Sequence, residues 1–180
     1  MTRIIAGAYG GRRIETPKGD STRPTSDRVR EAMFSSLESE LGGFDDELRV
    51  LDLFAGSGAL GLEALSRGAG SAVFVESDQR AATVIKANIR LLGANGSVVR
   101  MKAGPFVDQA DGRFGLVFID PPYAVATAVV AELVRRLKAG RAADALFVVE
   151  RATRDPFAWP EGVEGLRDKT YGETSLWYGR

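Results

Sequence analysis

Val50-Leu51-Asp52-Leu53-Phe54-Ala55-Gly56-Ser57-Gly58-Ala59-Leu60-Gly61 is the stretch on which the reading of this sequence turns. A short apolar run, broken by one acidic residue, ends in a glycine-rich turn and passes into a pattern suited to a helix. Glycine carries no Cβ and adopts conformations other residues resist, so such a turn lets the backbone approach a ligand closely. The spacing Gly56-x-Gly58-x-x-Gly61 fits a dinucleotide-binding turn, yet by itself it does not name the cofactor.

Outward from that turn, strand and helix signals alternate. The run Arg49–Phe54 predicts the first of a series of strands, followed by a helix through Arg67. Further strands are expected at Ala72–Glu76, Val98–Met101, Gly115–Ile119 and Ala145–Val149, with helices over Asp78–Leu92 and near Ala126–Lys138. Strands of four to six mostly apolar residues, separated by helices, indicate a parallel sheet covered on both faces. At the C-terminal end, Gly165–Tyr178 reads as a hairpin at one edge, turning about Tyr171-Gly172. Ahead of the series, Arg3–Ala6 and Arg12–Thr16 read as a hairpin around Gly7, Gly10 and Gly11. Residues 17–24 form a loop, and a helix starts at the Thr25-Ser26-Asp27 cluster with Val29, Met33 and Leu37 as its apolar stripe.

A length of 180 residues suits one domain with a short appendage. The expected division is a basic hairpin and loop over 1–24 and a catalytic domain over 25–180. No apolar run approaches the roughly 20 residues of a membrane helix, and the N-terminus has no secretory pattern, so a cytoplasmic protein is expected. The chain has no cysteine and no histidine. Thiolate nucleophiles, Ser-His-Asp triads and thiolate or imidazole metal sites are thereby excluded, which favours a cofactor that arrives already reactive. Residues 1–30 hold seven basic side chains against three acidic ones, a balance of +4 in a chain whose net charge is zero. A basic arm on a mildly acidic body suits a polyanion partner. Arg3, Arg12, Arg13, Lys18, Arg28 and Arg30 are the candidate RNA contacts.

Two further motifs carry chemistry. Glu76 lies twenty residues after Gly56, at the end of the next strand. An acidic side chain there accepts hydrogen bonds from both ribose hydroxyls of an adenosine moiety, in NAD or in S-adenosylmethionine alike. Asp52 separates the two, because a carboxylate at that strand end repels a pyrophosphate and suits the cationic end of an amino-acid cofactor. Phe118-Ile119-Asp120-Pro121-Pro122-Tyr123 emerges at the same sheet edge. An exocyclic amine on a base needs acceptors for its two hydrogens. Asp120 supplies a carboxylate, the stiff Asp-Pro-Pro backbone presents a carbonyl, and Tyr123 offers a face for an extruded base.

The pairing of Asp52-Leu53-Phe54-Ala55-Gly56-Ser57-Gly58 with Asp120-Pro121-Pro122-Tyr123 resembles the class I methyltransferases that modify amino groups of bases. More specific is the N-terminal stretch Arg3-Ile4-Ile5-Ala6-Gly7, Gly11-Arg12-Arg13, Pro17, Gly19 and Thr22-Arg23-Pro24-Thr25-Ser26-Asp27-Arg28-Val29-Arg30-Glu31-Ala32-Met33-Phe34. It resembles the RsmD family, which methylates guanine N2 in bacterial small-subunit ribosomal RNA, and Tyr171-Gly172-Glu173-Thr174 also fits. The resemblance implies an α/β, Rossmann-like fold with a seven-stranded, mostly parallel sheet, helices on both faces, and an N-terminal hairpin and helix extension. It also implies S-adenosylmethionine as cofactor, no metal, and 16S ribosomal RNA within the small subunit or an assembly intermediate as partner, bound by a monomer.

On this reading Asp120, Pro121, Pro122 and Tyr123 are the catalytic candidates. Asp52, Phe54, Ala55, Gly56, Ser57, Gly58, Glu76 and Ser77 are the cofactor candidates, with Arg23 and Thr25 expected to approach it. One departure stands out. Where such enzymes commonly place Asp or Asn against the adenine amine, this chain has Ala103-Gly104-Pro105-Phe106. That leaves backbone groups and packing by Phe106 for the adenine, or a modest cofactor affinity. The preference for guanine over adenine rests on the resemblance, so an adenine-N6 methyltransferase remains the alternative. An NAD-dependent oxidoreductase is disfavoured by Asp52, and a catalytically idle RNA-binding module by the intact Asp120–Tyr123 quartet.

Overall fold

Strands that are apolar at every position need cover on both faces, and in this chain the helices divide between the two. The computed structural model describes residues 1–19, 25–109 and 111–180. In chain order the elements are β1 (Thr2–Arg3), β2 (Arg13–Ile14), α1 (Asp27–Leu41), β3 (Arg49–Leu53), α2 (Ala59–Ser66), β4 (Ser71–Val75), α3 (Gln79–Leu92), β5 (Gly96–Val99), α4 (Ala103–Gln109), β6 (Leu116–Ile119), α5 (Thr127–Ala139), β7 (Leu146–Ala152), β8 (Gly165–Tyr171) and β9 (Thr174–Gly179).

Seven strands form one sheet in the order β5-β4-β3-β6-β7-β9-β8. The first five are parallel and β9 and β8 run antiparallel at one side. Alternate residues of each strand enter opposite cores. Val50, Phe74, Phe118 and Val148 meet α1, α2 and α3, whereas Leu51, Val73, Val117 and Val149 meet α4 and α5. The strand order reverses between β3 and β6. In open sheets of this kind a crevice lies outside the carboxyl ends of the strands at that reversal.

Local sequence explains most boundaries. Ser26 caps α1, accepting from Val29 N–H, and Asp78 caps α3, accepting from Ala81 N–H. Gly42 and Gly93 close the same helices in the left-handed conformation. Three features differ from the reading of the sequence. The third sheet strand begins at Gly96 rather than Val98, where a Cβ would stand 2.7 Å from the Phe74 ring. Residues 103–106, to which the reading of the sequence assigned no element, begin helix α4; proline is tolerated in a first turn, where its missing N–H has no helical partner. The N-terminal hairpin is shorter than expected: Thr2 pairs with Ile14 and Arg3 with Arg13, Ile4 N–H donates to Arg12 O, and the connection beyond lies on the body.

Buried polar groups hold that connection in place. Ile5 N–H donates to Glu63 Oε2 at 2.8 Å and Ala6 N–H to Glu63 Oε1 at 3.1 Å. Glu63 has no exposed surface, and its charge is met by Arg67 Nε at 2.9 Å and by Arg30 Nη1 at 3.9 Å. Ser66 accepts from Tyr9 N–H, and its carbonyl accepts from Ala8 N–H. Gly7 is required here, since a Cβ would fall 2.0 Å from the Ser66 carbonyl oxygen. Arg30 is therefore corrected: expected to face RNA, it is 1% exposed and bonds Asp27 and Thr2.

Removing the Glu63 carboxylate strands two buried guanidinium groups and two backbone N–H groups. Glu63→Ala is expected to lower unfolding free energy by about 3–5 kcal/mol. Urea denaturation checks this, and a loss below ~1 kcal/mol would contradict the role given to Glu63.

Candidate functional site

The site begins where β3 ends. Phe54 is the one non-glycine residue with positive φ among the described residues, at 64°, which sets a strained turn at the ligand edge. Ala55 N–H donates to Val75 O, and Gly58 N–H to Ala55 O, so the turn is tied to β4 and closed on itself. Gly56 has φ of 59° and open space where a Cβ would point, so backbone faces the crevice there. Gly61 does something different. A Cβ on it would meet the Phe74 ring at 2.4 Å, so this third glycine lets α2 pack on the sheet.

Asp52 is 1% exposed, and its Oδ2 accepts from Gly61 N–H at 3.0 Å. Expected from the sequence to face a cationic ligand end, it ties β3 to the first turn of α2 from a buried position. Burial, with the Glu76 charge adding, pushes its carboxyl up to about 8. Glu76 follows β4 and uses both oxygens on the same edge. Oε1 accepts from Gly56 N–H at 3.0 Å and Oε2 from Asp78 N–H at 2.8 Å. It links the glycine turn to the start of α3. Ser77 beside it is exposed.

Asp120 emerges from β6 across the strand reversal. Burial first, then the charges of Glu150 and Asp52, hold its carboxyl well above the usual range, while Arg151 works against the rise. The two acids expected from sequence to face a common crevice therefore lie within each other's field. Pro121 is buried, whereas Pro122 and Tyr123 are exposed. The Arg154 guanidinium stands 5.7 Å from the centre of the Tyr123 ring.

Two members of the site escaped the reading of the sequence. Ile119 pairs with Val149, so Asp120 on β6 and Glu150 on β7 stand side by side. Glu150 is thereby one of the neighbours that raise Asp120, and Thr25 Oγ1 donates to Glu150 Oε2 at 3.0 Å. Burial raises Glu150, and its bonds to Thr25 and Asp120 oppose the rise. Arg151, 1% exposed, donates to Val125 O at 2.7 Å, to Thr127 Oγ1 at 3.2 Å and to Asp155 Oδ2 at 3.1 Å. It clamps the loop that carries Pro121–Tyr123. The available signal was a strand ending in two charged residues, Val148-Val149-Glu150-Arg151, at the edge where Glu76 and Asp120 also emerge.

The remaining candidates divide. Thr25 stands against Glu150, on the Asp120 side of the crevice. Arg23 lies outside the described residues. Gly104 and Pro105 open α4, and Phe106 is buried in the apolar core with Leu51 and Val75 rather than displayed for stacking. Arg3 pairs with Asp27 at 2.8 Å, and Arg12 donates to Leu91 O at 2.9 Å. Arg13, Lys18 and Arg28 are exposed, with no ion pair among the described residues.

The chain matches the family described as conserved hypothetical protein 95 over residues 2–180. It is 34% identical over 178 residues to ribosomal RNA small subunit methyltransferase D of Haemophilus influenzae, covering 96% of this chain and 90% of that protein. The protein of the same name from Escherichia coli (strain K12) is 42% identical over 122 residues, 67% of this chain; the match spans 60% of that relative's own length. Among solved structures, a hypothetical protein of Thermus thermophilus superposes with a TM-score of 0.83 at 34% identity, covering 99% of this chain and 98% of that one. A ribosomal protein L11 methylase from Lactobacillus delbrueckii subsp. bulgaricus shares the fold, with a TM-score of 0.66 at 14% identity, over 87% of this chain and 80% of that one.

The folded protein binds the Asp52 proton more tightly than the unfolded chain, whose value is 3.8. That stabilisation is complete below 3.8 and is lost as pH rises towards about 8. The melting temperature of the ligand-free protein is expected to fall across this window, and Asp52→Asn to flatten the fall. Parallel melting curves for the two proteins between pH 5 and about 8.5 would contradict this.

Proposed function

The chain belongs to the conserved hypothetical protein 95 family, the RsmD family, and on that premise we propose that it methylates the exocyclic N2 amine of a guanine in 16S ribosomal RNA, with S-adenosylmethionine as donor. One observation carries the reading. Glu76, Asp52, Asp120 and Glu150 stand at the C-terminal edge of four neighbouring strands, β4, β3, β6 and β7, across the strand reversal. Such a crevice attracts a cationic donor and repels a pyrophosphate.

The residues fit that cofactor. Gly56 leaves open space over the turn, and Glu76, already oriented by two backbone N–H groups, has acceptor capacity left for ribose hydroxyls. When bound, the cofactor supplies an activated methyl group on a sulfonium. The chain's task is then alignment. The Asp120 carboxylate and a carbonyl of the Asp-Pro-Pro segment accept the two amine hydrogens and turn the nitrogen lone pair towards the donor. Asp120 also stabilises the positive charge that develops on that nitrogen. With no histidine in the chain, the proton leaves to water after transfer. Arg151 keeps the Pro121–Tyr123 loop in place, and Tyr123, 43% exposed, offers its face to an extruded base.

The arm, residues 1–24, supplies the basic surface for RNA phosphates through Arg3, Arg12, Arg13 and Lys18, joined by Arg28 at the start of α1. The substrate is the small subunit or an assembly intermediate, which places the protein in the cytoplasm. The sulfonium needs no Lewis acid to activate it, so the reaction proceeds on a monomer without a metal.

Incubation with labelled S-adenosylmethionine and small subunits lacking base methylation is expected to yield N2-methylguanosine on nucleoside analysis; N6-methyladenosine or no product would overturn the reading. Asp120→Ala is expected to lower turnover by about 10²–10³ while cofactor affinity changes by less than ~3-fold. Turnover like that of the wild type would remove Asp120 from the reaction. Replacing Arg12 and Arg13 by alanine is expected to flatten the salt dependence of RNA binding by about one unit of log–log slope per lost phosphate contact. An unchanged slope with lowered thermal stability would make the two arginines structural only.

A further inference from the structure

We propose that Glu150 reads the edge of the target base, its carboxylate accepting the ring N1–H of guanine while Asp120 holds the neighbouring amine. The inference rests on the reading of the protein as a guanine-N2 methyltransferase and adds the residue that chooses guanine over purines lacking N1–H.

A cavity of about 340 Å³ opens onto Glu150. Its walls are the start of α1 at Thr25, Ser26 and Val29, and the β8–β9 turn at residues 171–174. Glu150 is the one residue lining it that comes from the parallel strands, and it is only 6% exposed. The pairing of Ile119 with Val149 sets Asp120 and Glu150 on adjacent strands at one level. Residues at one level of neighbouring parallel strands present their side chains to the same side, so the two carboxyl groups are neighbours along the crevice. Thr25 Oγ1 lies 3.0 and 3.4 Å from the two Glu150 oxygens and fixes how the group is turned.

Two ionised carboxyl groups side by side are acceptors only, so neither can supply the donor that the other needs. Guanine offers what the pair lacks. Its N1–H and its N2 amine are adjacent donors, one for each carboxylate. Adenine and 2-aminopurine also carry an exocyclic amine, but beside it stands a ring nitrogen lone pair. Facing Glu150, that lone pair meets a carboxylate, and a buried acceptor without a donor is costly. Sites built to receive a hydrogen-bond donor reject analogues lacking it far more strongly than apolar pockets reject a missing methylene. A purely structural Glu150, by contrast, would be served as well by glutamine, with no effect on base choice.

Small subunits reconstituted around RNA carrying either guanine or 2-aminopurine at the methylated position provide the test. Wild-type protein is expected to prefer guanine by about 100-fold or more in kcat/KM. In E150Q, whose amide turns to donate to a ring nitrogen, the preference is expected to fall within ~10-fold while cofactor affinity is retained. Thr25→Val removes only the hydroxyl that orients the carboxylate and is expected to lower the ratio in the same direction. Equal use of both bases by the wild type overturns the proposal whatever the variants do, as does an unchanged ratio in the two variants. Failure of the wild type to methylate guanine at all instead overturns the parent reading.

Discussion

Four carboxyl groups converge on the C-terminal edge of the sheet, and the rest of the architecture is arranged to keep them there. Like charges brought together and withdrawn from water are unfavourable for folding, and Asp52, Asp120 and Glu150 shift towards their protonated forms. Three of the four are held by specific donors. Gly61 N–H bonds Asp52, Gly56 and Asp78 N–H groups bond Glu76, and Thr25 bonds Glu150. Arg151 supplies compensating charge beside Asp120 and anchors the loop that follows it. The proposed function uses this arrangement, since a cationic donor and an amine bearing two hydrogens are what such an edge lacks.

The opposite side of the glycine turn is braced by the N-terminal arm. Glu63, Arg30 and Arg67 form a buried charge network under residues 5 and 6. Asn88, with no exposed surface, accepts from Glu15 N–H and donates to Glu15 O at 2.9 Å and to Ser57 O at 3.0 Å. One side chain thus joins the second strand of the arm to the turn at residues 55–58. The arm and the glycine turn are joined through one buried amide.

Legibility in the sequence followed a physical line. The strand ending at Phe54, Glu76 at the end of the next strand and Asp120 before two prolines were readable because each meaning is carried by immediate neighbours. The sheet followed from the alternation of short apolar runs with helical patterns. What escaped depends on residues remote in sequence. Arg30 reads as one more basic residue of the arm until α2 brings Glu63 beneath it. Glu150 and Arg151 read as the polar end of a strand until β7 is paired with β6. Helix α4 was hidden because Gly104-Pro105 resembles a turn, and only Phe106 and Val107 packing on the sheet make it a helix.

On the proposed function a donor pocket and an amine clamp share one crowded acidic crevice. Calorimetric titration at pH 7, in buffers of different ionisation heat, measures the protons exchanged when a ligand enters. S-adenosylmethionine and its neutral thioether product differ at the sulfur, so the difference between their titrations isolates the effect of the positive charge. The sulfonium form is expected to release more protons from the carboxyl cluster than the thioether does. Equal proton exchange for the two ligands would contradict the claim.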